Sequence, residues 1–208
     1  MNATLPVLPR ANRCPDRIAT MHQMLGLPHI APLAGYSAEL RNMRDGWQFP
    51  EFDPLSGGVH ADMLFLLEKP GPMAGESNFI SMCNDDPTAE HALAFLEEAH
   101  IDYRRLVIWN VMPGWNGDIT FTAMEREWGL AQLARLMDLL PTIRVVVLIG
   151  RQAQRATPFF EARNVPVISS AHPSMRVRNR YPDAWSSIPR RWRDARRIAD
   201  QSVRCINL

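Results

Sequence analysis

Hydrophobic residues along the chain gather into four short, nearly unbroken runs separated by stretches with a helical period. The runs at 62–67, 106–111 and 144–149 are rich in Val, Ile, Leu and aromatic residues, and 166–169 is a shorter fourth. Unbroken apolar runs of this length predict strands covered on both faces, as in a parallel sheet. Between them, residues 87–99 carry Ala92, Phe95, Leu96 and Ala99 at helical spacing, with Asp85 or Asp86 as cap and Pro87 in the first turn. Residues 123–140 set Leu130, Leu133, Ala134, Met137 and Leu140 on one stripe closed by Pro141. Residues 152–163 read as a third helix that Pro158 kinks or splits, and 190–203 as a last one. This alternation predicts an α/β fold, a three-layer αβα sandwich around a central four-stranded parallel sheet. Residues 1–61, rich in Pro and Gly, predict an N-terminal extension with short helices near 16–25 and 36–44. Residues 62–208 then form the α/β core and a basic C-terminal helix, all in a single domain spanning 1–208.

Composition narrows the class. The chain has 208 residues, of which 46% are hydrophobic and 22% charged, which excludes disordered and low-complexity chains. A domain of this size buries about 70% of its unfolded surface, enough for a core without staples. Cys14, Cys83 and Cys205 are far apart and odd in number, with no zinc-type spacing, so neither disulfide nor metal is expected. No apolar run approaches the length that spans a bilayer, and the N-terminus lacks the apolar stretch of a secretory signal. The expectation is a soluble, cytoplasmic protein with no membrane partner.

Net charge is +1, but its distribution is uneven. Residues 174–204 hold nine Arg and three Asp, a local +6, which leaves the rest near −5. Such a basic tail fits an anionic partner such as nucleic acid, and equally a solvated arginine-rich helix. Lys69 is the only lysine beside 22 arginines, a bias of composition rather than of function.

In an open parallel sheet, ligands bind outside the carboxyl ends of the strands. The loops after the first, second and fourth runs bring Glu68, Asn110 and His172 to one edge: a carboxylate, an amide and an imidazole. Taken singly, each has a plainer reading as a turn carboxylate, a backbone-bonded amide or a satisfied loop histidine. Their convergence favours a site.

The segments Leu67-Glu-Lys-Pro-Gly-Pro72, Trp109-Asn-Val111 and Ala171-His-Pro-Ser174, in this order on these strands, resemble the uracil-DNA glycosylase superfamily. The resemblance runs over about residues 62–180. It implies hydrolysis of the N-glycosidic bond of uracil or a related deaminated base in DNA, with no cofactor and no obligate protein partner. It further implies that Glu68 positions water or balances positive charge on the sugar, and that Asn110 reads the edge of a flipped pyrimidine. His172 would donate to the leaving base, and Phe79, in the loop that begins at Gly75, would stack on it; as a plainer reading, Phe79 is a core anchor. Breaking such a bond passes through a sugar cation and an anionic base, so a carboxylate and a hydrogen-bond donor stabilise charge that appears only in the transition state. The base must also leave the stack for a narrow pocket. Ser174, Arg176, Arg178 and Arg180 follow the His-Pro-Ser motif, where they would hold phosphates. The arginines from Arg190 to Arg197 either extend that track or face solvent.

The sequence also departs from the pattern Gly-Glu-Ala-Pro-Gly. Leu67 stands for the small Gly and Lys69 for Ala, so Lys69 could pair with Glu68 and lower its basicity, or in principle attack the sugar as a Schiff-base nucleophile. Asn84, Asp85 and Asp86 lie in a segment that reads either as local ligands or, more simply, as helix capping. An alternative function is a superfamily member that has lost the chemistry and binds nucleic acid. A small-molecule hydrolase is a third class, against which stands the absence of GxSxG, HExxH and Walker motifs.

Overall fold

The computed structural model describes residues 5–71, 76–118 and 120–204, without the side chains of 202–204. Pro72, Gly75 and Cys205 lie outside the described residues.

The strands are β1 (Glu51–Phe52), β2 (Met63–Leu67), β3 (Phe79–Ile80), β4 (Leu106–Asn110), β5 (Val145–Ile149) and β6 (Val167–Ser170). Four of them make one parallel sheet, as the apolar runs predict, and its order is β4-β2-β5-β6; β1 and β3 form a separate parallel pair. β2, β4 and β5 are buried almost end to end, whereas β6, at the edge, is only partly covered. That exposure explains the weaker hydrophobic signal of the fourth run. The two-residue strands β1 and β3 are too short to leave a period in the sequence.

The helices are α1 (Pro15–Met24), α2 (Ala31–Met43), α3 (Pro87–Glu98), α4 (Ala123–Asp138), α5 (Thr157–Glu161), α6 (Met175–Arg180), α7 (Pro182–Ser186) and α8 (Ile188–Arg204). Asp86 caps α3 by accepting from the Ala89 N–H at 2.9 Å, with Pro87 in the first turn, where a missing N–H costs nothing. Thr122 and Glu125 close a reciprocal capping box at the start of α4. Pro158 splits the helix expected over 152–163: a 3₁₀ turn at Ala153–Ala156 comes first, and α5 begins with the proline in its own first turn.

Side-chain direction separates the two faces of the sheet. Phe65 of β2 meets Trp192 of α8 edge-on at 4.9 Å, and Phe95 of α3 reaches the same indole. Trp109 sits opposite Leu66 in the β2–β4 register and therefore points the other way. There it stacks on Phe52 at 3.6 Å and meets Tyr36 of α2, whose hydroxyl donates to the Gln132 carbonyl of α4 at 3.0 Å. Thus α3 and α8 cover one face and α2 and α4 the other, in three layers.

The described residues before β2 also contribute to the core. Ile30, Leu33, Tyr36, Leu40, Phe49 and Phe52 belong to the same buried cluster as the sheet. The helical stripe of α2 supplies the apolar cover that the second face needs. A polar hub fastens this segment as well. Asp53, 2% exposed, accepts from the Ser81 hydroxyl at 2.5 Å, the Tyr103 hydroxyl at 2.7 Å and the Leu55 N–H at 2.8 Å. Burial pushes its carboxyl pKa up against those bonds. Asn84 donates to the Phe79 carbonyl and accepts from Asn12, while Asp85 pairs with Arg10. The segment read as ligands or capping is therefore structural throughout. Asp53→Ala strands three buried donors and is expected to cost about 3 kcal/mol, lowering Tm by about 10 °C. Urea and thermal unfolding check this, and a loss below about 1 kcal/mol would show the hub to be dispensable.

Cys14 and Cys83 are free thiols. Among the described residues no helix is long and apolar enough to cross a membrane.

Candidate active site

The chain leaves β2 toward β4 on one side and leaves β5 toward β6 on the other. The connections diverge between β2 and β5, which makes a crevice at the carboxyl ends of the strands. A cleft of about 1330 Å³ opens there. Asn110 pairs with Leu67, one residue before Glu68, and Ser170 pairs with Ile149, so Gly150 and His172 follow one and two residues past that pair at the same edge.

Main-chain bonds hold these positions. The Val111 and Met112 N–H groups donate to the Leu67 and Glu68 carbonyls, each at 2.9 Å, and the Gly150 N–H donates to the Ser170 carbonyl at 2.9 Å. The ladder thus continues past the strand ends. Ser170 is tied down further, since its hydroxyl accepts from the Trp192 indole at 2.9 Å and its carbonyl from the Gln154 amide at 2.9 Å.

Glu68 is half-buried on the cleft wall, and among the described residues nothing hydrogen-bonds its carboxylate. Burial raises its pKa, opposed by the charges of Arg126, Lys69 and Arg155. His172 lines the same cleft, and burial lowers its pKa while Asp86 opposes the shift. Its imidazole is therefore neutral at pH 7, with one N–H to donate. Gly150 lies against this ring at φ +88, a left-handed conformation that glycine adopts freely.

Asn110 ends β4 in register with Leu67 and is 3% exposed. Its amide Nδ2 has no hydrogen-bond partner among the described residues. A buried donor left in that state costs about 1–3 kcal/mol until a ligand acceptor arrives. Asn110 stands behind the cleft wall rather than on it.

Lys69 does not form the ion pair with Glu68 that its position allows. Its ammonium donates to Asn116 Oδ1 at 2.5 Å and to the carbonyls of Asp118 and Thr120 at 2.6 and 3.2 Å. It also lies 5.2 Å from the Trp115 ring and 5.8 Å from that of Trp47. Lys69 thus pins the loop after β4, while burial lowers its pKa against the opposing charges of Glu125, Asp118 and Glu68.

Among the described residues, six cationic side chains line the cleft: Lys69, Arg126, Arg151, Arg155, Arg176 and Arg191. Glu68 is the one carboxylate among its described lining residues. Ser174 and Arg176 are on the wall as expected, whereas Arg178 and Arg180 lie off it, against the rings of Trp185 and Tyr181. Successive residues of so short a helix project in different directions. Arg126, Arg151 and Arg155 carry no motif and come from helix α4 and the turn after β5, which only folding brings to this edge. The arginines of α8 divide. Arg191 faces the cleft, while Arg193 and Arg196 donate to the Glu98 and His100 carbonyls, where the negative end of α3 attracts them.

Phe79 is fully buried in β3, with its ring 4.8 Å from that of His22, so it offers no exposed face to a base. The aromatic rings on the cleft are Trp115, Phe121 and Tyr181. The hydrophobicity that singles out Phe79 is as much the mark of a core anchor. Among the described residues no three His, Cys, Asp or Glu side chains gather as a metal site.

No family model matches the chain, and no curated protein matches it in sequence. Among solved structures, the chain is similar to a solution NMR structure from Methanosarcina acetivorans described as a candidate uracil DNA glycosylase. The two share 12% identity at a TM-score of 0.47, over 65% of this chain and 91% of that one.

Proposed function

We propose that this protein is a DNA glycosylase that hydrolyses the N-glycosidic bond of uracil or a related deaminated base. The observation that carries the reading is that, among the described residues, a single carboxylate, Glu68, stands in a cleft otherwise charged by six cations, with a neutral imidazole and a partnerless amide on the same strand edge. The cations hold the phosphates on either side of an extruded nucleotide. As the bond from C1′ to the base nitrogen breaks, its electron pair goes to the base and positive charge grows on the sugar. Glu68 balances that charge. His172 donates its N–H to the base carbonyl oxygen on which negative charge gathers, and Asn110, behind the wall, donates to a second acceptor of a base edge that enters past that wall. Water adds to C1′, and the proton it loses leaves the base neutral. Ser174 and Arg176 hold backbone phosphates in the cleft, with Arg178 and Arg180 reaching flanking ones from outside it. Phe79 stays in the core, and the stacking ring falls to the cleft, where Phe121 stands.

A second reading, a nucleic-acid-binding protein without the chemistry, draws on Leu67 and Lys69 in place of small residues. Release of uracil from single- and double-stranded oligonucleotides, read as alkali-labile abasic sites, separates the two. Salt-sensitive binding without abasic sites would establish the second.

The pKa directions give a pH profile. Glu68 must be charged and its pKa is raised, so it is lost on acidification earlier than an ordinary carboxylate. His172 must be neutral and its pKa is lowered, so it stays neutral below the ordinary value of 6.5. The two limits shift toward each other, and kcat/KM is expected to be flat from neutral to alkaline pH and to fall on acidification. A limb centred at or above 6.5 would contradict the burial of His172.

A further inference from the structure

Beside the cleft lies a second cavity of about 780 Å³. The two share Pro70, Gly71 and Trp115, so the loop after β2 and one indole partition them. Their chemistries differ. The cleft is cationic, whereas the charged residues lining the second cavity are Arg41, Glu51 and Glu76. Arg41 is already engaged, donating to Glu51 Oε1 at 2.6 Å and to the Phe49 carbonyl at 3.0 Å. Glu51 is 5% exposed, and its other oxygen, Oε2, has no hydrogen-bond partner among the described residues.

The rest of the lining is aromatic and amide. Trp47 and Phe49 stack on each other at 6.2 Å and 16°, and Trp115 stands at the partition. Gln48 and Asn78 contribute primary amides that make no side-chain hydrogen bond among the described residues. These groups sit on paired backbone. Gln48 and Trp115 exchange two main-chain bonds at 2.8 Å, and the Glu51 N–H donates to the Asn78 carbonyl at 2.7 Å. A phosphate finds no free cation among these described residues. A flat ring with donors and acceptors on its edge finds two amides, a carboxylate oxygen awaiting a donor, and the rings of Trp47 and Trp115, which Arg44 and Lys69 approach at 4.8 and 5.2 Å.

We propose that this cavity is a second nucleobase site, one that takes an unpaired base bearing an exocyclic amino group. The sugar-phosphate chain leading to it lies in the cationic cleft. The amino group donates to Glu51 Oε2, and the amides of Gln48 and Asn78 complement the neighbouring edge atoms. Uracil and thymine are disfavoured, because carbonyl oxygens flank their imide N–H and a carboxylate repels them. The two cavities therefore select different bases: one to be excised, and a neighbour that is read. The inference rests on the nucleic-acid reading of the cleft but not on the chemistry of Glu68.

Mononucleosides test it, since without phosphate they make little use of the cleft. The full chain is titrated with guanosine, cytidine, adenosine, thymidine and uridine, followed by calorimetry and tryptophan fluorescence. The amino-bearing nucleosides are expected to bind about ten-fold more tightly than thymidine and uridine. Glu51→Gln is expected to erase that preference. Because Glu51 also pairs with Arg41, Gln48→Ala and Asn78→Gly serve as variants that leave the ion pair intact; glycine keeps the +59° φ of residue 78. Each is expected to weaken amino-nucleoside binding about five-fold or more, while Glu68→Gln leaves it unchanged. Equal affinities for all five nucleosides, or no saturable binding in the millimolar range, would overturn the proposal. So would binding lost in Glu68→Gln but kept in Asn78→Gly, which would put the nucleoside in the cleft. Selective nucleoside binding without uracil excision would sink the glycosylase reading and leave this one standing. Excision without nucleoside selectivity would do the reverse.

Discussion

Glu68→Gln is expected to slow uracil release by about 10²–10³-fold while changing oligonucleotide affinity by less than about two-fold. The substitution is nearly isosteric and removes only the charge. That charge matters little to the bound ground state, where the sugar is neutral, and much to the transition state, where the sugar is cationic. Among the described lining residues no second carboxylate can take its place. In the ground state the mutation also relieves the burial of a charge, which burial has already made harder to form. Affinity for DNA is therefore expected to hold or to rise slightly. His172→Ala, which removes the donor at the other end of the breaking bond, is expected to cost a similar factor. Single-turnover excision assays with binding measured in parallel check both. A rate within about three-fold of the parent in both variants would remove them from the chemistry. Affinity lost in step with rate would make Glu68 a structural residue instead.

Binding to a single-stranded oligonucleotide is expected to weaken by about 300-fold between about 50 and 200 mM salt. Six cations line the cleft, and each phosphate they neutralise releases counterions, for a log–log slope of about −4 on single strands. Arg155→Gln or Arg191→Gln should each reduce the slope by about one. Arg193→Gln should leave it unchanged, because that guanidinium is docked on the Glu98 carbonyl of α3. Fluorescence anisotropy over a salt series gives these slopes. A shallow slope in the parent would remove nucleic acid from consideration and return the cleft to a small-molecule substrate. A slope that drops equally in Arg193→Gln would place the anion on the outer face of α8, away from Glu68.

The sheet was legible because β2, β4 and β5 are buried on both faces, and a strand in that setting is apolar at almost every position, Asn110 at the end of β4 excepted. From the strand ends it followed which loops converge, so Glu68, Asn110 and His172 could be placed on one edge before any contact was known. Helix limits were legible where a local device marks them, as Asp86 and Pro87 do for α3 and Pro158 for α5. The direction of a side chain that can turn either way was not legible. Lys69 adjoins Glu68 in sequence, yet its ammonium reaches the loop at residues 116–120. Phe79 fits a stacking ring or a core anchor equally by type, and only the pairing of β3 with β1 decides that it is buried. The arginines of α8 read as one basic run, and packing against α3 divides them between cleft and structure. The second cavity was invisible for the same reason. Glu51, Asn78 and Trp115 carry no common motif and meet because two short strands and one bridge pair distant segments. Local propensity and burial pattern act along the chain, so the sequence by itself determined the layers and the edge at which Glu68, Asn110 and His172 lie. Charge neutralisation and cavity shape arise between residues far apart in sequence, and only the tertiary structure decided those.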